Sequence, residues 1–349
     1  MAGKRDTPLE ALQLDHDPIP ALLASNDPAL QYFVRRDLLE EQTGPIHEIW
    51  QLPAVQKILK KQQLDGSWKS PGKNQLKYPA INYSLIETWK QFRFLIDQYE
   101  MDNTDPSVEK AGEYIFSCQT DEGDIRGILG NQYAAYYTGA LMALLIKAGY
   151  ENDPRIEKGF QWLLSVRQDD GGWLANALMT LNLSWKEITR LTSQDVETVP
   201  YKNTARPSSH NWTGMVIRAF AAHPVHRKSA AAWQAAELLK ARFFQEDPHY
   251  SSYRAADYWV TFRYPYWWNN LVAALDSLSV MGFSKDDRDI KNALNWLASN
   301  QQENGLWKVS YARKKSETSG EKAKKEQLWI SYAICRVLKQ FNAVPLFSP

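Results

Sequence analysis

One phrase recurs along this chain, and it limits the fold more than any other feature. It is written as Lys158 to Trp173, KGFQWLLSVRQDDGGW: an amphipathic run (Phe160, Trp162, Leu163, Val166), a glutamine, an acidic Asp-Gly turn and a tryptophan. It returns as ILKKQQLDGSW (Ile58 to Trp68) and NWLASNQQENGLW (Asn295 to Trp307). In EYIFSCQTDEGDI (Glu113 to Ile125), Ile125 takes the tryptophan's place. The turn glycines, 66, 123, 171 and 305, are separated by 57, 48 and 134 residues, the last gap being about two periods. Such periodicity marks a repeat architecture. Short turns between apolar-periodic segments make each unit an antiparallel helical hairpin. No segment alternates as a strand does, so the expected class is all-α.

In order, residues 1–50 hold a polar tail and a helix capped by Asp27 with Pro28 in its first turn, its apolar face being Leu30, Phe33, Val34 and Leu38. Residues 51–349 are expected to form one domain of five or six hairpins. Asp105-Pro106 and Asp153-Pro154 open the second and third repeats. The fourth has Asp247-Pro248 where Asp-Gly is expected, and leads into a helix from about Trp268 to Met281. The last helix is expected over Gln327 to Phe341. Ser208-Ser209 is read as the cap of a helix from about Asn211 to Ala222. In each turn the glutamine (Gln63, Gln119, Gln168, Gln301) is expected to cap the next unit's helix, with the tryptophan covering the joint. That is stability chemistry, and no catalytic role falls on these residues.

Composition excludes some functions. Lys+Arg 41 against Asp+Glu 40, without a basic stripe, gives no electrostatic basis for nucleic-acid binding. The longest apolar run, Ala140 to Ile146, is far below the ~20 residues of a spanning helix. The N-terminus has no apolar signal core. Cys118 and Cys335, the two cysteines, are expected as reduced thiols in a cytoplasmic protein. Fourteen Trp and seventeen Tyr call for a large core or an aromatic-lined cavity.

The Gln–Asp–Gly–x–Trp grammar resembles the QW repeat of squalene and oxidosqualene cyclases, whose hairpin the β subunits of protein prenyltransferases share. Trp296-Leu297, Gln301 and Gly305-Leu306-Trp307 match it. So do Trp162-Leu163, Gln168 and Gly171-Gly172-Trp173 with one extra residue, and Ile58-Leu59, Gln63 and Gly66-Ser67-Trp68 without the aromatic. The resemblance covers about residues 50 to 341. It implies an α/α toroid around a central apolar cavity, and a length nearer one toroid than the two of the cyclases. It does not bring the families' chemistry with it. The Asp-x-Asp-Asp and Asp-Cys-Thr-Ala-Glu acids are absent. No Asp-Asp-x-x-Asp motif lies on an inward-facing helix, and the Asp, Cys and His zinc set is missing. Asp286-Asp287-Arg288-Asp289 reads as a helix start. No cofactor or metal is expected.

Candidate site residues lie elsewhere. Tyr258 to Trp268 holds seven aromatics in eleven residues. Its Tyr258, Phe262, Arg263, Tyr264, Tyr266, Trp267 and Trp268 could wall a pocket or fill the joint of the degenerate fourth turn. Tyr133, Tyr136, Trp212 and Trp329 are further candidate substrate contacts. His210, entering a helix, is a candidate acid or base and Arg206 an anion ligand, against a plain capped helix start. Asp124 is a candidate catalytic acid and Arg126 a ligand contact, against a loop salt bridge. His223-x-x-His226 straddles a proline and lacks helical metal-pair spacing. The charged run Lys308 to Lys325 is a solvated loop or a lid. The expected function is terpenoid-cyclase-like, binding an isoprenoid in an aromatic cavity, with peripheral membrane contact open. The alternatives are a non-catalytic scaffold and a zinc prenyltransferase.

Overall fold

The computed structural model describes residues 12, 14–72, 77–181, 183–201, 203–247, 255–312 and 320–342. The expected polar tail over residues 1–10, Pro248 and the 313–319 part of the charged run lie outside them. The chain is all-α, a series of helical hairpins of the kind that builds α/α toroids, with no strand among the described residues. The helices are α1 (Ile19–Leu23), α2 (Pro28–Phe33), α3 (His47–Trp50), α4 (Pro53–Leu59), α5 (Tyr83–Arg93), α6 (Pro106–Ser117) and α7 (Ala135–Leu145). There follow α8 (Pro154–Ser165), α9 (Trp185–Ser193), α10 (His210–Ala222), α11 (Ala230–Lys240), α12 (Ala255–Trp259), α13 (Leu271–Met281), α14 (Arg288–Ser299) and α15 (Glu321–Gln340). The expected Asp-Pro starts are where the sequence puts them. Asp27, Asp105 and Asp153 each accept first-turn backbone N–H groups while the proline needs none, and Asp287 caps α14 in the same manner.

Two compact units emerge. One comprises residues 1–43, 282–309 and 316–349; the other comprises 44–281 and 310–315. In the larger unit, amphipathic lead helices (α4, α6, α8, α11) alternate with return helices (α5, α7, α10, α13). Every residue of α7 is buried, as a helix surrounded by protein must be apolar on all sides. Helix α10 packs against α7, α11 and α13. Gly139 permits the first of these contacts, since a Cβ there would lie 2.7 Å from the Val216 Cα. In the smaller unit α15 carries Trp329, whose indole N–H donates to Asp27 at 3.0 Å, and Tyr332, whose hydroxyl donates to Asp37.

The turn chemistry matches the sequence reading with its register corrected. The side chain that bridges out of the turn to a neighbouring segment is, in these four turns, four residues before the turn glycine. Gln62, not Gln63, donates to Gly66 O (3.0 Å) and Ser107 O (2.8 Å). Gln119 donates to Gly123 O and Arg155 O. In the third turn Arg167, not Gln168, donates to Gly171 O and Ala231 O. Gln301 donates to Gly305 O and His16 O. The glycine is required twice over: Gly66 has φ +88°, and a Cβ would stand 2.1 Å from Lys110 O. Trp68, Trp173 and Trp307 each donate their indole N–H to the carbonyl ten residues earlier, on their own lead helix. Their backbone N–H groups donate to a hydroxyl of the return helix, at Thr88, Thr213 and Ser331. Ile125 does so to Thr138. In the degenerate fourth turn Trp259 stands in, bonding to Gln245 O at 3.1 Å.

Three boundaries differ from expectation. Helix α15 begins at Glu321, so the charged run is partly helical. Helix α13 begins at Leu271, three residues after Trp268, which lies in a bend. The polar segment 186–207 contains α9, started by a Ser184–Glu187 capping box. Nor does the Ser208-Ser209 pair cap α10. The Ser209 hydroxyl donates to Asp247 and that of Ser208 to Asp170. Each hydroxyl is turned toward the carboxylate it donates to, and Ser209 accepts no first-turn backbone N–H.

Candidate functional site

In the larger unit the aromatic strip 258–268 meets the return helices, and two features result. The first is a connected group of rings. Trp267 stacks on Trp89 of α5 at 4.1 Å, and Trp89 meets Tyr137 of α7 edge-on at 5.1 Å. Tyr136 lies 4.0 Å from Tyr137, 4.5 Å from Trp212 of α10 and 6.1 Å from Trp268. Tyr136 and Tyr137 are buried, whereas Trp268 is 39% exposed and forms an open edge of the group. Burial holds both tyrosine hydroxyls above their ordinary pKa, so they stay neutral donors. Arg218 of α10 fixes the strip by donating to the carbonyls of Tyr266, Trp267 and Trp268. Tyr264, preceding a cis-proline, donates to Asp97 O at 2.5 Å. Phe262 is buried against Tyr311, and Arg263 is exposed.

The second feature is polar and lies at the N-terminal ends of α10 and α13. His210 is 2% exposed, its ring 4.9 Å from Trp259 and 5.5 Å from Tyr258. Burial is the dominant influence on it and lowers its pKa to about 4, Asp247 acting the other way. The imidazole is therefore neutral near pH 7, able to accept a proton. Around it, His210 Nδ1, Asn211 Oδ1, Trp212 Nε1, Asp247 Oδ1 and Asn269 Oδ1 are buried with no hydrogen-bond partner among the described residues. Tyr258 faces the same group, its hydroxyl held well above its ordinary pKa chiefly by burial. Gly214 makes room for Asn269, which a Cβ would meet at 2.2 Å. A neutral imidazole, a carboxylate held on one oxygen by Ser209, and a phenol form a set able to move protons.

The remaining sequence candidates go elsewhere. Asp124 is fully buried and engaged by the Thr120 hydroxyl and by Arg126 at 2.9 and 3.0 Å. Arg126 also reaches Thr198 and Glu122 and stacks on Tyr133 at 4.4 Å, while the Tyr133 hydroxyl donates to Glu122. Those three residues thus form a closed loop network. Arg206 is half-buried in the segment before α10. Trp329 is in the smaller unit, in its core beside Phe33 and Tyr332. Sequence reasoning missed Asp247, Asn269, Arg93 and Arg218. Two of these had a signal, since Arg93 (ETWKQFRFLI) and Arg218 (GMVIRAFAA) interrupt apolar runs.

The hairpin array and its turn grammar are similar to those of squalene cyclases, and comparisons with known proteins point the same way. The family model for the C-terminal domain of squalene–hopene cyclases matches residues 81–199, about a third of the chain. A probable squalene–hopene cyclase of Sinorhizobium fredii is 28% identical over 130 residues, which is 34% of this chain and 20% of that protein. The matched region thus spans about a fifth of that relative's length. The chain resembles these cyclases. Among solved structures, a protein from Actinoplanes aligns over 85% of this chain and 87% of its own, at 14% identity and a TM-score of 0.41. A polysaccharide lyase aligns over 84% and 86%, at 11% identity and a TM-score of 0.42. The type II terpene cyclase MstE from Scytonema aligns over 86% and 100%, at 13% identity and a TM-score of 0.32. No helix among the described residues is long and apolar enough to cross a membrane.

Proposed function

We propose that this chain is a terpenoid-cyclase-like protein that holds an isoprenoid-type ligand on the ring group of its larger unit. The observation carrying this reading is the convergence of Trp89, Tyr136, Tyr137, Trp212, Trp267 and Trp268 on one another from three return helices and the strip. Aromatic faces attract both apolar chains and developing positive charge, which is what a cyclising polyene needs around it. His210, Asp247 and Tyr258 then serve the ligand's polar or reacting end. Arg218 acts as a positioning residue, since it holds the backbone of the strip. Ligand entry requires Trp267 and Trp268 to move off their partners. Two free cysteines fit a reducing, cytoplasmic setting.

The test is tryptophan-fluorescence titration with squalene and with a polyprenyl diphosphate series, and mass spectrometry of the incubated mixtures. Wild-type quenching that Trp268→Ala abolishes while the circular dichroism is unchanged supports the site. The same quenching in both proteins removes it. A product lost in His210→Gln makes the polar group catalytic.

A second reading, a non-catalytic scaffold, is favoured by one observation. The rings fill their own space, and the cavity beside them measures about 80 Å³, far below what a fifteen-carbon chain needs. Absence of any ligand-induced change in fluorescence across the series selects this reading.

A further inference from the structure

The cavity beside the rings is lined by charge rather than by apolar surface alone, through Arg93, Asp97, Lys147, Arg218 and Asp276. Arg93, in the last turn of α5, is 4% exposed. Its flat faces are covered, by Trp267 at 4.4 Å and Phe94 at 5.4 Å. The edge is not: Nε and Nη1 are buried and have no acceptor among the described residues. The nearby carboxylate, Asp97, is held by Lys147 at 2.8 Å. Arg218 spends its Nη atoms on strip carbonyls, yet its Nε also lacks an acceptor among the described residues. A buried guanidinium without acceptors is costly, and proteins retain such groups where a ligand or specificity requires them.

We propose that this cavity is an oxyanion site in which Arg93 and Arg218 grip one phosphoryl-type group. Charge agrees with this, because three cationic and two anionic side chains line the space, and the charge of Arg263 is also felt at Arg93. Size agrees too. At about 10–15 Å³ per water, the cavity of about 80 Å³ takes roughly five to eight waters or one tetrahedral oxyanion. The guanidinium fork suits two oxygens of such a group, and Lys147, 41% exposed, stands where the cavity meets solvent. Burial lowers the Arg93 pKa to about 9, which leaves it charged at neutral pH. The site does not depend on the isoprenoid reading, since the anion itself is what it recognises. Free phosphate and the phosphate head of a larger ester would enter on the same contacts.

The experiment is calorimetric titration of the full chain with inorganic phosphate and with geranyl monophosphate. At least one is expected to bind, and Arg93→Met to weaken it by about tenfold or more while the melting temperature holds or rises. Arg93→Lys, keeping charge without the fork, is expected to fall between. Binding of both probes identifies a free-anion site, and binding of the ester alone identifies a head-group site. No binding of either at about 10 mM, or affinity unchanged in Arg93→Met, overturns the proposal.

Discussion

The hairpin turns and the inner ends of the return helices are built from similar residues to opposite effect. At a turn the polar side chains have taken partners, apart from Gln168 Oε1, which is buried without one among the described residues. Gln119 ties its own turn to the first turn of α8, Asp124 is closed off by Thr120 and Arg126, and the indole N–H of Trp173 reaches its own lead helix. At the start of α10 and α13 the balance reverses, with acceptors and donors of His210, Asn211, Trp212, Asp247 and Asn269 buried and unmatched. Stability chemistry closes its hydrogen bonds, whereas a site that awaits a ligand leaves some open. The chain thus separates what holds it together from what it can use.

The contrast can be broken by experiment. The largest expected effect is at a turn: Trp173→Ala removes a fully buried indole and its hydrogen bond, and should cost about 3–5 kcal/mol in urea unfolding. A loss below a third of that would mean the turns are not the structural part. Next comes pH. The His210 pKa falls from 6.5 to about 4 on folding, so the unfolded chain binds the extra proton between those values. Stability is then full above about pH 6.5 and falls by about 3 kcal/mol as pH drops to 4. His210→Gln should flatten that slope, and an unchanged slope would assign it to other groups. Gln119→Ala leaves two carbonyls without their donor and should lower stability by about 1–2 kcal/mol. Smallest is Asn211→Leu, which exchanges a buried amide whose Oδ1 is unmatched for an apolar group of similar volume. Its stability should stay within about 1 kcal/mol of wild type or rise, while ligand response falls. A loss as large as that of Gln119→Ala would show that Asn211 is structural.

Much of the fold was legible because it rests on local rules. Asp-Pro starts, the positive-φ glycines of the four clear turns and the amphipathic lead helices each depend on a few neighbouring residues, and the structure has them where the sequence places them. The capping side chain was misplaced by one residue in two turns, where adjacent candidates (Gln62 and Gln63, Arg167 and Gln168) look alike without the glycine-minus-four rule. The site was less legible. Tyr258, His210, Trp267 and Trp268 announced themselves by composition. Asp247 did not, because what matters about it is a partner 38 residues away, Ser209. Helix-cap reasoning even assigned that serine to the backbone. Arg93 and Arg218 sat in plain view, yet one charge in an apolar helix acquires meaning only from what surrounds it.

The hydroxyl that receives each turn's backbone N–H has a bearing on how such chains can change. The bond joins Ile125 to Thr138 across 13 positions, Trp68 to Thr88 across 20, Trp307 to Ser331 across 24, and Trp173 to Thr213 across 40. One and the same fastening therefore closes excursions differing threefold in length. Loop growth costs little entropy once the ends are pinned, about 0.6 kcal/mol per doubling. The stretches between turn and return helix are thus free to lengthen, acquire a helix such as α9 or shed residues without disturbing the register of the hairpins. New specificity can be inserted there while the scaffold is left alone.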